Sequence, residues 1–462
     1  MQDLTTGPIT RHLLKTASFM LVMMVFQTLY FLVDLYWVGR LGTSAVAGVA
    51  VAGNLNFVVL ALGQMLGVGT TTTVSHAVGR RDQAAARHTF HQALVLAAVA
   101  GLVFLAIGLV LRRPYAAAMS ADAATAATAV DYLRWFIPAM ALQFPLGAAS
   151  AALRAVGQFK APMLVSIASI VLNMVLAPAL MFGWGTGRPM GVAGAAAASL
   201  AAVALGLVWL ATYFAPRSAY LHFTRDDWRP SPAAWRRMLG IGLPAGFEFA
   251  MMAVYQFVVY TIARPFGAPA QAGFGIGLRV VQAGFMPVVA LGFAVAPVAG
   301  QNVGARLAGR VRATFRDAAV MAAGIMAVFA LLSHVAPAAL VGTFTRDPAV
   351  VAVGAEYLRV ISWNYVASGL IFVASSMFQA LGNTVPSLTA SAVRMVLVVA
   401  PAVALARLPG FRLSWIWYLS AAAVYVQLAL ALWLLRREFA RRLGAGERAA
   451  AVVGGAPVAE AV

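Results

Sequence analysis

The chain has 462 residues, 62% of them apolar, and carries 33 Lys and Arg against 14 Asp and Glu, for a formal charge of +19. Globular domains have roughly a quarter of their residues charged, so too little polar material is present to cover a soluble surface, and the abundance of Phe, Leu, Val and Trp excludes disorder. No cysteine occurs, which excludes disulfides, thiolate chemistry and Cys-based metal centres.

A helical span needs roughly 20 mostly apolar residues to cross about 30 Å of hydrocarbon. Twelve blocks meet that need, at 13–38, 46–73, 90–111, 129–153, 162–183, 191–215, 238–263, 271–299, 315–336, 354–379, 385–406 and 413–435. The first is too long for a signal peptide and lacks a small-residue cleavage site, so it reads as a span. The fold class is therefore all-α integral membrane.

In chain order, span 1 carries Gln27 and, about one turn inside its outer end, Asp34. Span 2 carries Asn54, and His76, His88 and His91 flank the loop to span 3, where they read as interfacial or solvated. Span 4 opens on Asp131 and Arg134 and contains Pro138 and Pro145; span 5 contains Asn173 and Pro178. The longest charged linker, 217–237, follows span 6. Span 7 holds Glu248 ten residues in, or roughly 15 Å at helical rise, with Pro244 four residues before it and Gln256 beyond. Span 8 contains Arg279, Gln282, Pro287 and Pro297; span 10 contains Glu356, Arg359 and Asn364; span 11 contains Arg394 and Pro401. The prolines mark expected kinks, because each removes a backbone hydrogen bond.

Basic residues fix the orientation. Loops on the side of the termini hold 21 Lys and Arg, and the opposite loops hold 8. Positive residues stay inside, so both termini are expected in the cytoplasm. Scattered between apolar blocks, these charges control topology and do not form a nucleic-acid surface.

The chain repeats itself at a fixed offset of 225 residues. Asp131-Tyr132-Leu133-Arg134 matches Glu356-Tyr357-Leu358-Arg359, His76-Ala77-Val78-Gly79 matches Gln301-Asn302-Val303-Gly304, and Ala155-Val156-Gly157-Gln158 matches Ala380-Leu381-Gly382-Asn383. An even number of spans per half gives both halves the same orientation, so the bundles are expected to be related by a pseudo-twofold axis along the membrane normal. The expected domains are a lobe at 1–216, a cytoplasmic linker at 217–237, a second lobe at 238–440 and a flexible tail at 441–462. Two like-oriented bundles with a cleft between them are a transporter plan.

Ionisable residues at membrane depth are expensive and are functional candidates by default. The repeat sorts them. Asp34 and Glu248 are unmatched, since their counterparts are Val259 and Met23, and Arg279 and Arg394 replace Asn54 and Ser169. Asp34 and Glu248 are the candidate ion-coupling acids; Arg279, Glu356 and Arg394 form a possible secondary charge network, in which Glu248 could instead be a structural partner of Arg279 or Arg394. Gln27, Asn54, Asn173, Gln256, Gln282 and Asn364 are candidates to line an aqueous cleft. No Gly-x-x-x-x-Gly-Lys-Ser/Thr or His-Glu-x-x-His run occurs, so neither an ATP-hydrolysing engine nor that zinc site is encoded.

The run Val33-Asp34-Leu35-Tyr36-Trp37-Val38-Gly39-Arg40-Leu41-Gly42 resembles the end of helix 1 in the MATE family (multidrug and toxic compound extrusion). Gly300-Gln301-Asn302-Val303-Gly304-Ala305 with Arg310, and Gly242-Leu243-Pro244 with Glu248, are similar to motifs of that family's second half. The resemblance covers about residues 11–440 and implies a pair of six-helix lobes that export organic, often cationic, compounds in exchange for inward H⁺ or Na⁺. It maps the family's helix 1 and helix 7 acids onto Asp34 and Glu248. The acid that some members carry inside helix 10 has no counterpart here, where the nearby polar residue is Asn364. The expectation is a monomeric inner-membrane antiporter without cofactor or metal, meeting small organic substrates and membrane lipids. An exporter or flippase of one metabolite or lipid-linked substrate is the alternative within transport, and an integral-membrane enzyme the alternative outside it.

Overall fold

The computed structural model describes residues 2–184, 187–216, 219–224 and 226–443. Arg217, Arg225 and the expected tail from residue 444 onward lie outside the described residues. Twelve helices are long and apolar enough to cross a membrane. They are α1 (Ile9–Gly39), α2 with α3 (Thr43–Gly53 and Leu55–Gly79), α4 (Gln83–Met119), α5 (Ala123–Ala155), α6 (Lys160–Phe182), α7 (Val192–Thr212), α8 (Pro232–Ala263), α9 (Ala268–Gly304), α10 (Ala308–Val335), α12 with α13 (Pro348–Ile361 and Tyr365–Leu381), α14 (Val385–Leu405) and α15 (Ser414–Arg442). A short helix, α11 (Pro337–Gly342), precedes α12.

Most helices outrun the apolar blocks that predict them, and in α4 and α5 a capped first turn starts the helix ahead of its block. Asp82 caps α4 by accepting from the Ala85 amide at 2.9 Å, and Asp122 caps α5 by accepting from the Thr125 amide at 2.7 Å. Each satisfies an amide that a helix N-terminus would otherwise leave orphaned. The expected proline kinks do not interrupt the helices: Pro138, Pro145, Pro178, Pro287, Pro297 and Pro401 all lie inside continuous elements. The interruptions come at Asn54, between α2 and α3, and at a 3₁₀ turn over Ser362–Asn364 between α12 and α13.

The chain forms two compact units. Among the described residues, the first comprises those of 2–3 and 18–250, and the second those of 4–17 and 251–443. In the first, α5 packs against α2, α3, α4 and α7, with Phe144, Leu133 and Ile137 buried at its core. In the second, α9 packs against α10, α12 and α13, around buried Trp417, Phe274 and Phe378.

The backbone preserves the repeat. Left-handed residues recur at the same offset of 225: Gly42 and Gly267 (φ +106° and +86°), Arg81 and Arg306 (both +59°), and Gly157 and Gly382 (+80° and +74°). An arginine pays a steric cost in that region, so its recurrence shows that the two loops share one turn geometry. The Gln301-Asn302 motif gains a role in the second unit. Gln301 Oε1 accepts from the Leu4 amide at 3.0 Å, Asn302 Nδ2 donates to Leu4 O at 3.2 Å, and Arg310 Nη2 donates to Gly7 O at 3.0 Å. These bonds seat the N-terminal segment, with Leu4 fully buried.

Candidate functional site

Asp34 and Tyr30 stand one helical turn apart on α1, the spacing that puts two side chains on one face. Val38, one turn further, is buried, so that face points into the first unit. There Tyr30 Oη lies 3.4 Å from Ser199 Oγ on α7, and Asn173 Nδ2 on α6 donates to the same oxygen at 2.9 Å. Ser199 in turn donates to Ala195 O at 3.1 Å. Tyr132 of α5 is buried close enough to interact electrostatically with the Asp34 charge. Asp34 itself is half-buried, and its Oδ1 is sealed from solvent with no hydrogen-bond partner among the described residues.

Small residues make this convergence possible. The α7 run Ala195–Ser199 presents almost no side-chain bulk, and a β-carbon on Gly194 would lie 2.7 Å from the Met181 nitrogen of α6. Such close approach is what brings Asn173 and Ser199 into contact. Of the residues picked from sequence, Asp34 lies on the α1 face it shares with Tyr30, and Asn173 reaches that face only through Ser199, which Tyr30 also contacts; Tyr30, Tyr132 and Ser199 were missed. A signal existed for two of them: Tyr30 and Tyr132 repeat as Tyr255 and Tyr357. In the Asp131–Arg134 and Glu356–Arg359 motifs, the charged residues are exposed and form no ion pairs among the described residues, while the tyrosines are buried.

Glu248 is half-buried on α8, one turn past Pro244. The preceding part of α8 lies hard against α3 within the first unit: a β-carbon on Gly69 would meet Met238 O at 2.5 Å, and one on Gly246 would meet Ala61 O at 2.9 Å. Gln27, Asn54, Arg279, Gln282 and Glu356 are exposed, and Gln256 is half-buried. Asn364 is buried in the 3₁₀ turn, and its Oδ1 has no hydrogen-bond partner. Arg394 is half-buried on α14 in the second unit, with its guanidinium 5.6 Å from the Tyr255 ring and Nη1 3.4 Å from Gln427 Oε1. Among the described residues, no group of three His, Asp or Glu could hold a metal ion.

The histidine expectation needs correction. His91 is fully buried, and His76 is buried as well. His91 Nδ1 donates to Arg87 O at 2.8 Å, which fixes the tautomer, and Nε2 accepts from the Thr224 amide at 3.1 Å. Gln92, also fully buried, donates to Asp227 O and Arg229 O and accepts from the Ser231 amide, each at 2.8 Å. Asp227 accepts from Arg87 Nε at 3.2 Å and Thr224 Oγ1 at 2.7 Å, and contacts His88 Nδ1 at 3.2 Å. Burial alone would raise the Asp227 carboxyl, but hydrogen bonds from Thr224, His88 and Arg87 outweigh it and hold it below its ordinary range. These side chains clasp the linker onto the start of α4. Polar residues at the end of an apolar block pass for solvated when their partners are 130 residues away.

A sequence model of the MatE family matches residues 20–179 and 244–404, one segment in each half. The chain is 26% identical over 368 residues to the Multidrug export protein MepA of Staphylococcus haemolyticus, covering 79% of this chain and 80% of that protein. It is 23% identical over 406 residues to the FAD transporter of Shewanella oneidensis, covering 87% and 89% respectively. A crystal structure of MATE in the bent conformation shares the fold with a TM-score of 0.89 at 23% identity, covering 96% of this chain and 98% of that one. The outward-facing conformation of a multidrug resistance MATE family transporter of the MOP superfamily gives a TM-score of 0.87 at 23% identity, covering 95% and 97%. With a family match that spans most of both halves, over residues 20–179 and 244–404, the chain belongs to the MatE family of multidrug and toxic compound extrusion transporters.

Proposed function

We propose that this protein is a cation-coupled antiporter, driven by inward H⁺ or Na⁺, with Asp34 as the coupling carboxylate. The observation that carries the reading is the sealed, unpartnered Oδ1 of Asp34. A carboxylate oxygen without a partner at membrane depth costs several kcal/mol, and a bound proton or small cation supplies the partner it lacks. Tyr30, Asn173 and Ser199 would orient the group, and the binding cycle of Asp34 would set which way the lobes, 1–216 and 238–440, open. Glu248 is the second coupling acid in this scheme.

The substrates are small organic compounds, cationic or amphipathic; the MepA relative's name, Multidrug export protein, supports the drug-like class. The relative named FAD transporter keeps export of one metabolite as a second reading, and the two unmatched arginines, Arg279 and Arg394, favour it. The protein would act as a monomer in the inner membrane, among its lipids, with both termini cytoplasmic. The test is efflux of a cationic dye from vesicles at fixed pH, with and without a sodium gradient. The wild type should respond to a proton or a sodium gradient, and Asp34→Asn to neither at unchanged expression. Gradient-driven efflux by Asp34→Asn at the wild-type rate would remove Asp34 from the mechanism.

A further inference from the structure

The second unit repeats the Asp34 pocket with its charge reversed. Tyr30 recurs as Tyr255 and Tyr132 as Tyr357, but Val259 stands in for Asp34, Val398 for Asn173, and Arg394 for Ser169. A tyrosine–serine contact is also present, one turn displaced: Val424 stands in for Ser199, and Tyr255 Oη donates at 3.1 Å to Oγ of Ser420, the counterpart of Ala195. Where the first unit offers a carboxylate between two tyrosines, the second offers a guanidinium.

Arg394 does not face lipid. It is the tenth residue of α14, about 14 Å from the helix start at helical rise and so near the middle of the hydrocarbon. Ser387, Ala390 and Val398, three or four residues apart on the same face, are all buried, whereas Val396 and Val403 on the opposite face are exposed. The side chain is held in place by the Tyr255 ring and by Gln427, whose Nε2 donates to Ser391 Oγ at 3.1 Å. Gln427 takes one of the five guanidinium N–H donors. No carboxylate of the described residues pairs with the rest, and no nitrogen of Arg394 is both sealed from solvent and unpartnered, as Asp34 Oδ1 is.

We propose that Arg394, braced by Tyr255 and Gln427, is a binding site for an oxyanion, the carboxylate or phosphate of a transported organic solute. An arginine at membrane depth within a span either pairs or marks a substrate path. Its planar fork matches a carboxylate or phosphate through two parallel hydrogen bonds, and the ring stacked beneath it is a cation–π support that leaves the donor edge free. Ser391 and Ser420, which contact the bracing side chains, add hydroxyls to the same pocket. The proposal deepens the transporter reading by naming a group its solutes carry, and it rests on that reading only for the word transported.

The test is a binding measurement on the full-length protein in detergent, independent of any ion gradient, with rhodamine B, which has a free carboxylate, and its ethyl ester. Wild type should bind the acid at least tenfold more tightly than the ester. Arg394→Gln should abolish that preference and leave ester affinity unchanged, and Arg394→Lys should retain part of it. Should Arg394→Gln fold poorly, Gln427→Glu keeps the arginine and places a carboxylate in its reach, so it should erase the preference in a folded protein. A wild type without preference, or a preference kept by both Arg394→Gln and Gln427→Glu, overturns the site. Repeating the measurement in nanodiscs of phosphatidylcholine with and without phosphatidylglycerol separates the sources: acid binding that anionic lipid suppresses through Arg394 alone would give the site to a lipid phosphate and overturn the solute assignment. Loss of dye efflux in Asp34→Asn with the acid preference intact would support the coupling proposal and this site separately.

Discussion

Replacing Gln92 by Leu should release the linker that it holds against α4. The side chain is fully buried and makes three hydrogen bonds of 2.8 Å to linker backbone groups. A typical net contribution is about 1 kcal/mol per bond, and leucine fills a similar volume without replacing any of them, so docking should weaken by about 3 kcal/mol, or roughly a hundredfold in the docking equilibrium. The Arg87–Asp227 ion pair is worth less. Its side chains are 29% and 19% exposed, and such partly solvated pairs contribute about 1 kcal/mol or below. Arg87→Met should therefore cost under tenfold. Hydrogen exchange at the Ser231 amide reads both directly, because the rate follows the local opening equilibrium when reclosing is fast. Ser231 protection within twofold of wild type in Gln92→Leu, or a larger loss in Arg87→Met than in Gln92→Leu, would refute the assignment of the clasp to Gln92.

Three further outcomes follow from the same coordinates. A carboxyl held below its unfolded value contributes stability that is complete above the unfolded pKa and lost as pH falls through the folded one; linker docking should therefore be flat from neutrality down to the ordinary Asp range, near about 3.9, and weaken below it, a dependence that Asp227→Asn removes. Gly194→Ala should push α7 away from α6 and cost about 1–3 kcal/mol of stability, read as a lowered unfolding temperature, together with slower dye efflux as Asn173 and Ser199 separate. Glu248→Gln keeps the shape and removes the charge, so gradient-driven dye efflux should fall at unchanged expression.

The spans were legible because hydrocarbon demands apolar length, and the repeat because its offset never drifts; the paired left-handed residues Arg81 and Arg306 are its backbone counterpart. Asp34 stood out as an acid without a repeat partner. Its surroundings did not, since Tyr30, Tyr132 and Ser199 converge from three helices far apart in sequence, and in the Asp-Tyr-Leu-Arg motif the charges drew attention from the tyrosine between them. The clasp was illegible for a related reason: His91 and Gln92 sit where an apolar block meets water, and only the fold reveals that a linker covers them. The helix breaks at Asn54 and Ser362–Asn364 carry no proline, so no local rule announced them.

The central claim is that the charge of Asp34 couples ion entry to solute exit. Its most direct test is ion uptake into proteoliposomes preloaded with a transported cation, followed by a trapped pH dye and, in parallel, by a sodium-sensitive one. The account expects solute to trigger inward movement of one of the two ions in wild type and of neither in Asp34→Asn, with solute binding retained. Solute-triggered ion entry of wild-type size in Asp34→Asn would contradict it.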